Sequence, residues 1–486
     1  MKNKKIIVIG AGPGGYISAI KAAKIGADVT LVENYRLGGT CLHHGCIPTK
    51  TIKASADALS MANRLEQFGI ELNGNVQPDI KKIIARKNKV IDSLTSGIEA
   101  LIKSNRISYI NGRATIKAPD LVEVSTAGRG LLHLETDKTI IATGSKPASL
   151  PGLTMDGKHV LSSDDVLRID KIPNNILIVG AGIIGMELAF ILKNLGCNVT
   201  LIEAMDQILS LPSIDFDSKK LLQRELKKNK IKLLLNQTVE STKILSDGKV
   251  EAGIKPFGTG GTGGGEEKKS LIVDTVVVTV GRQYNTKDIG LEQLGMELNR
   301  DHSIKVNNRL ETSVSNIYAV GDVLGPTRIM LAHVASAEGV IAAENCFGRD
   351  HEMNYQVVPN GIFTSPECAS VGLSEQQALE KGFQFRSDVF QYRAIGKAQA
   401  IGEITGQVKL ISQKSNRQIL GAHIVGSHAT DLIGECTLAM KTKATTKDLA
   451  GTIHLHPALS ETLKEAADLA NDECLHLPAQ MQAKSA

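Results

Sequence analysis

Residues 6–33 read IIVIGAGPGGYISAIKAAKIGADVTLVE, and residues 176–203 read ILIVGAGIIGMELAFILKNLGCNVTLIE. At a fixed offset of 170 positions Gly10, Gly12 and Gly15 fall on Gly180, Gly182 and Gly185, Gly26 falls on Gly196, and Glu33 falls on Glu203. Each copy opens on a continuous β-branched run, the pattern of a strand buried on both faces. The glycines then permit a tight turn and a close backbone approach to a pyrophosphate at a helix N-terminus. A helical pattern and a second strand follow, ending in a carboxylate suited to a pair of ribose hydroxyls. One such glycine pattern is a weak signal. Strand, glycines, helix, strand and acid repeated without a gap predict an α/β chain with two dinucleotide-binding units.

The second unit indicates which nicotinamide it takes. Glu203 would repel a 2′-phosphate and no arginine follows in Ala204-Met205-Asp206-Gln207, so NAD is favoured over NADP. The first copy needs another signal, and the segment from Thr312 to Asp322 supplies it: a strand running into Gly321-Asp322 puts a carboxylate where it can accept from a ribityl hydroxyl. Two short strands ending in glycine, Ile140–Gly144 and Val277–Arg282, read as crossing points between domains. The run GTGGTGGG at 258–265 reads as a flexible hairpin loop, with no helix behind it to cradle a phosphate.

Between the first glycine turn and the rest of that unit lies Gly38-Gly39-Thr40-Cys41-Leu42-His43-His44-Gly45-Cys46-Ile47-Pro48-Thr49-Lys50. Cys41 and Cys46 are close enough to open and close a small disulfide ring, and a dithiol inside a dinucleotide-binding unit predicts electron exchange between a cofactor and a disulfide. The other cysteines, Cys197, Cys346, Cys368, Cys436 and Cys474, are scattered singly, which fits a reducing, cytoplasmic setting. With 486 residues, three or four domains are expected. A net charge of +5 with no basic stripe interleaved with aromatics argues against nucleic acid. Lys81, Lys82, Arg86, Lys87 and Lys89 read as a solvated helix face. The apolar run after Met1-Lys2-Asn3-Lys4-Lys5 breaks at Gly10, too early for a signal peptide, and no run is long enough to span a membrane.

Read in order, the glycine pattern, GGTCLHHGCIPTK, Ala142-Thr143-Gly144, the second glycine pattern, Thr279-Val280-Gly281-Arg282, the Gly321-Asp322 segment, Ala332-His333 and the run His454-Leu455-His456-Pro457-Ala458-Leu459-Ser460-Glu461 resemble the pyridine nucleotide-disulfide oxidoreductases, over nearly the whole chain. Within that family the dihydrolipoamide dehydrogenase branch is the best match. The resemblance implies two Rossmann-like domains and a C-terminal α+β dimerisation domain: an FAD-binding domain at 1–150, an NAD-binding domain at 151–280, a central domain at 281–350 completing the FAD site, and an interface domain at 351–486. It implies oxidation of protein-bound dihydrolipoamide by NAD through FAD and a Cys41–Cys46 disulfide. Cys46 would face the flavin and Cys41 the substrate, with His456, oriented by Glu461, as the base supplied by the opposite subunit. His454 lacks a following proline and is expected to be structural.

By the same resemblance Lys50 and Glu187 pair beside the flavin ring. Gly10, Gly12, Gly15, Glu33, Gly39, Thr40, Ala114, Thr143, Gly144, Asp322 and Ala332 join Lys50 at FAD, while Gly180, Gly182, Gly185, Glu203, Val239 and Gly281 join Glu187 at NAD. The implied partners are a second copy of the chain and a lipoylated acyltransferase or glycine-cleavage carrier protein. No metal is expected: Cys-x-His-His-x-Cys packs four ligands into six residues, too tight to wrap one tetrahedral zinc. His43 and His44, where the family most often has Asn-Val, are expected to perturb the thiols or line the flavin face. A reductase running the other way on another disulfide is the enzymatic alternative, and a scaffold subunit the non-enzymatic one. The tail lacks the cysteine pair of a mercuric reductase, and the NAD unit lacks the basic residues of a glutathione reductase.

Overall fold

The computed structural model describes residues 4–258 and 269–477. Most of the glycine run read as a hairpin loop, 259–265, lies outside the described residues, as do Met1-Lys2-Asn3. The chain forms two compact units, one from residues 1–148, 162–171 and 280–355, the other from 149–161, 172–279 and 356–486.

In the first unit, the strands Ile317–Ala319, Lys138–Ile141, Lys5–Ile9, Asp28–Glu33 and Ser108–Asn111 lie side by side, all parallel. Apart from the half-buried Ile110 of the edge strand, their Ile and Val side chains are almost fully buried, as the continuous apolar runs require of a sheet covered on both faces. Helix α1 (Pro13–Lys24) follows the first strand, with Pro13 at its first position, where a missing N–H costs nothing. The dithiol segment folds as two helices, α2 (Gly39–His43) and α3 (Cys46–Ala62), broken at His44-Gly45. Helix α4 (Ile80–Ser104) packs on α3.

The second unit repeats the plan. Its sheet runs Lys232–Leu234, Asn198–Ile202, Asn175–Val179, Thr275–Val278 and Val160–Ser162, and helix α5 (Ile183–Asn194) follows the strand 175–179. The duplication extends beyond the 28-residue window in which the sequence displays it. Each copy inserts a three-stranded antiparallel sheet ahead of the core strand that pairs with the first strand of the repeat: 113–118, 121–126 and 130–135 in one, 237–244, 250–256 and 269–273 in the other. The second unit also holds a five-stranded antiparallel sheet spanning residues 360–426, covered by the helices Ala429–Lys441 and Glu461–Ala470.

The two crossing segments pair with each other: Ser145–Pro147 runs antiparallel to Arg282–Tyr284. One charge reading needs correction. Lys87 is not part of a solvated face but buried on α4, its Nζ donating to the Leu167 carbonyl at 3.1 Å. Arg86 is also engaged, donating to the Thr51 carbonyl at 3.0 Å. Lys81, Lys82 and Lys89 are exposed. Among the described residues no helix is long and apolar enough to cross a membrane.

Candidate functional site

The three glycines of each repeat divide the work of the turn. Gly10 and Gly180 take φ of +99° and +103°, and a Cβ there would sit 2.3 and 2.7 Å from the carbonyl oxygens of Ala142 and Thr279. A Cβ on Gly15 or Gly185 would lie 1.8 or 1.9 Å from the carbonyl oxygen of Gly10 or Gly180, so only glycine lets the helix press onto its own turn. The middle glycine differs. A Cβ on Gly12 would meet only Gly39 Cα, at 3.9 Å, and one on Gly182 nothing within 4 Å. The space in front of each helix N-terminus is therefore open, a cradle that a side chain would fill and a pyrophosphate fits.

The carboxylates complete the turns. Glu33 accepts from the amides of Ala11 at 2.7 Å and Tyr35 at 2.9 Å, and Glu203 from those of Ala181 at 2.6 Å and Met205 at 3.0 Å. Each thus clamps the end of its strand to the glycine turn, a structural task the sequence reading had not assigned, and keeps lone pairs for a ribose. Burial pushes the Glu33 carboxyl up against the pull of the Ala11 amide.

The dithiol is tied to the first turn by backbone alone. Gly38 donates its amide to Ala11 O at 2.8 Å, and Gly39, at φ +58°, lies so close that a Cβ on it would be 2.5 Å from Gly12 Cα. Thr40 Oγ1 donates to the Ser145 carbonyl at 3.4 Å. Cys41 and Cys46 are half-buried and unbridged. The Cys41 thiol is pushed up by its hydrogen bond with Cys46, then by burial and by the charge of Cys46, whereas Lys50 pulls it down. Tyr16, on α1, is the residue here that sequence reasoning missed; burial and then the charge of Cys41 raise its phenol.

The two histidines are each held by a partner outside the dithiol. His43 is buried, its Nε2 2.8 Å from the Leu37 carbonyl and its ring edge-on to Tyr35 at 5.6 Å. His44 Nδ1 lies 2.7 Å from an Arg168 guanidinium nitrogen. The Lys50 ammonium lowers the Cys41 thiol. Among the described residues no three His, Cys, Asp or Glu side chains are grouped to hold a metal ion.

Asp322 follows Gly321, which has φ +77°, and accepts from Ser145 Oγ at 2.6 Å; Arg282 Nε donates to the same hydroxyl at 2.9 Å and its terminal nitrogen to the Ser145 carbonyl at 2.8 Å. Ser145 and Arg282 each follow a glycine-ended strand directly, a shared position that could have flagged them. Thr143 donates to the Asn285 carbonyl at 2.8 Å, and Gly144 and Gly281 sit at positive φ with open space where a Cβ would be. Ala332 is the first residue of the helix Ala332–Asn345. Ala114 and Val239 occupy equivalent first strands of the two inserted sheets with buried side chains, so any contact of theirs with a cofactor falls to the backbone.

In the second unit Glu187 is buried on α5 and accepts from the Phe363 amide at 3.0 Å. His456 and His454 are both paired with glutamates, but differently. His454 is buried with both nitrogens engaged, Nε2 2.8 Å from Glu435 and Nδ1 2.9 Å from the Thr452 carbonyl. His456 is 78% exposed, with Nδ1 2.8 Å from Glu461. Against partial desolvation, the Ala458 amide at 2.9 Å and His456 hold the Glu461 carboxyl below the usual range.

Residues 4–339 match the model of the pyridine nucleotide-disulphide oxidoreductases, and residues 358–467 that family's dimerisation domain. The chain belongs to the pyridine nucleotide-disulphide oxidoreductase family. Among relatives in it, proteins named dihydrolipoyl dehydrogenase from Chlamydia muridarum and Bacillus subtilis are each 39% identical, over 97% of this chain and 98% of theirs. The human mitochondrial protein of that name is 37% identical over 95% of this chain and 89% of its own. Among solved members, LpdA from Mycobacterium tuberculosis superposes with a TM-score of 0.87 at 25% identity, covering 96% of this chain and 99% of its own. The Cu(II) complex of RclA, an HOCl-induced flavoprotein disulfide reductase from Escherichia coli, gives 0.83 at 27% identity, covering 96% and 100%.

Proposed function

We propose that this chain is an NAD-dependent dihydrolipoyl dehydrogenase, oxidising protein-bound dihydrolipoamide to lipoamide with FAD and a Cys41–Cys46 redox pair. The observation that carries the reading is a hydrogen-bonded pair of thiols under the charge of Lys50, seated against a glycine turn whose open face fits a dinucleotide. Gly10, Gly12, Gly15, Glu33, Gly39, Thr40, Thr143, Gly144, Asp322 and Ala332 would hold FAD, with Ala114 contributing backbone. Gly180, Gly182, Gly185, Glu203, Gly281 and the Val239 backbone would hold NAD. Bound flavin supplies two-electron chemistry between the dithiol and NAD.

The chain's own residues perform the thiol exchange. A substrate thiolate attacks the Cys41 sulfur of the disulfide and expels the Cys46 thiolate, giving a mixed disulfide. The second substrate thiolate attacks the substrate sulfur of that bond, closes the lipoamide ring and releases Cys41 as thiolate. Attack requires deprotonated thiols. His456 of the partner subunit takes these protons at Nε2, while Glu461 of the partner subunit fixes the ring through Nδ1 and stabilises its charged form. Lys50 holds negative charge on the dithiol.

The residues flanking His456 support a homodimer: Ile453 and Leu455 are 96% and 76% exposed, an unusual state for large apolar side chains beside a catalytic base. The remaining partner is a lipoylated acyltransferase or a glycine-cleavage carrier protein. The buried free thiols suit the reducing cytoplasm. The test is to mix purified, flavin-coloured protein with dihydrolipoamide and to compare NAD with NADP. Rapid NADH formation and a preference for NAD of at least about tenfold, one unfavourable charge contact, are expected. A colourless protein, or equal rates with both nucleotides, would refute it.

A further inference from the structure

The helix Ala332–Asn345 buries a carboxylate that the thiol exchange does not use. Glu338, 1% exposed, accepts from the Gly321 amide at 2.7 Å through Oε2 and from the Tyr355 hydroxyl at 2.6 Å through Oε1. Gly321, at φ +77°, leads straight into Asp322, whose Oδ2 accepts from Ser145 Oγ at 2.6 Å. The Arg328 guanidinium lies over the Tyr355 ring at 5.0 Å. Burial pushes the Glu338 carboxyl up, while the Tyr355 hydroxyl, the Gly321 amide and Arg328 pull it down.

The backbone that carries Glu338 is pressed onto the first glycine turn. A Cβ on Gly339, the next residue, would lie 2.5 Å from the Gly14 carbonyl oxygen and 2.8 Å from Ser18 Oγ. One on Gly14 would lie 3.0 Å from Val320 Cγ2 and 3.3 Å from the Ala335 carbonyl oxygen. Glu338 therefore reaches Gly321 from a helix packed against the start of α1. Gly321 needs such a restraint. A glycine moves readily between backbone conformations, so its own sequence does little to fix the residue that follows it. The hydrogen bond from a fixed, buried group does.

We propose that Glu338 is a positioning residue for FAD: by holding the Gly321 amide it keeps the Asp322 carboxylate in place for the ribityl chain, and Tyr355 steadies Glu338 in turn. The inference deepens the FAD-site reading above and rests on its assignment of Asp322.

The test follows FAD leaving the purified holoenzyme, read as the rise in flavin fluorescence after dilution at a temperature below the melting transition. Asp322→Ala should speed release by about 10- to 150-fold, the worth of one hydrogen bond to a charged group. Glu338→Leu displaces Asp322 without removing it, and should speed release by about three- to tenfold, the worth of one ordinary hydrogen bond. In the Asp322→Ala background Glu338→Leu should change the rate by less than about twofold, because a residue that acts through Asp322 has nothing left to position. Equal acceleration by Glu338→Leu in both backgrounds is the mark of a merely structural role and would overturn the proposal, as would a Glu338→Leu rate equal to the parent's. If Glu338→Leu fails to fold, Tyr355→Phe, which leaves the Gly321 bond and removes the donor to Oε1, is read in both backgrounds by the same criteria. If Asp322→Ala releases FAD at the parent's rate, the assignment of Asp322 falls, and this inference with it.

Discussion

Gly182→Ala separates folding from nucleotide binding. Gly182 stands just before α5 with φ −72° and ψ −172°, a conformation open to any residue, and an added Cβ meets nothing within 4 Å. The folded protein should tolerate the methyl, and the unfolded chain loses freedom, so stability should hold or rise by about 0.4–1 kcal/mol. The methyl would instead occupy the space where a pyrophosphate approaches the backbone. Displacing that group weakens hydrogen bonds from the helix N-terminus, and charge-assisted bonds are worth about 1.5–3 kcal/mol each. Loss of one predicts a Kd for NAD raised roughly 10- to 150-fold, since 1.4 kcal/mol is tenfold. Calorimetric titration with NAD and a thermal melt on the same preparation measure both quantities. Gly185→Ala is the contrast: its Cβ would lie 1.9 Å from Gly180 O, so it should lose stability first. A Gly182→Ala protein with an unchanged melting temperature and NAD affinity within about twofold of the parent would refute the cradle; twofold is a shift of only about 0.4 kcal/mol.

His456→Gln should lower kcat with dihydrolipoamide by about 10²- to 10⁴-fold in steady-state assays, whereas His454→Gln should mainly cost about 1–3 kcal/mol of stability by unpairing Glu435. Lys409, 2% exposed, contacts Asp215 at 2.7 Å, Asp217 at 2.5 Å and Glu375 at 3.0 Å. Lys409→Met strands Asp215, itself 1% exposed, and should cost about 3–5 kcal/mol in urea unfolding, with Asp215→Asn in the same chain recovering much of it. Against burial, His423 and then Lys409 hold the Asp215 carboxyl below its ordinary range. Its contribution is therefore complete above the unfolded carboxylate pKa, about 3.9, and is lost as pH falls through the lower folded value. The gap between parent and Lys409→Met should be full at pH 7 and shrink below about pH 4; a gap independent of pH would contradict the pairing.

What the sequence made legible is what short-range pattern encodes. The glycine turns, their terminal acids, the dithiol and the His-Pro…Glu run each carry their meaning within about thirty residues, so offset and spacing suffice. Lys87 read as solvated because a charge on a helix shows nothing of the carbonyl it will find 80 positions away. The Asp215–Lys409 pair, 194 positions apart, was invisible for the same reason. His43 and His44 were seen, but what holds them was not. Their partners, the Leu37 carbonyl and Arg168, are a loop backbone group and a residue 124 positions on, and neither leaves a local signature. The inserted three-stranded sheets went unread because their strands follow no repeat at the level of residue identity.

The central claim is that electrons leave the substrate through the Cys41–Cys46 pair. The most direct measurement is dihydrolipoamide-dependent NADH formation by the parent protein and by Cys46→Ser, both purified with flavin bound. The account predicts sustained turnover in the first and none above background in the second. Cys46→Ser turning over dihydrolipoamide at a rate comparable to the parent would contradict it.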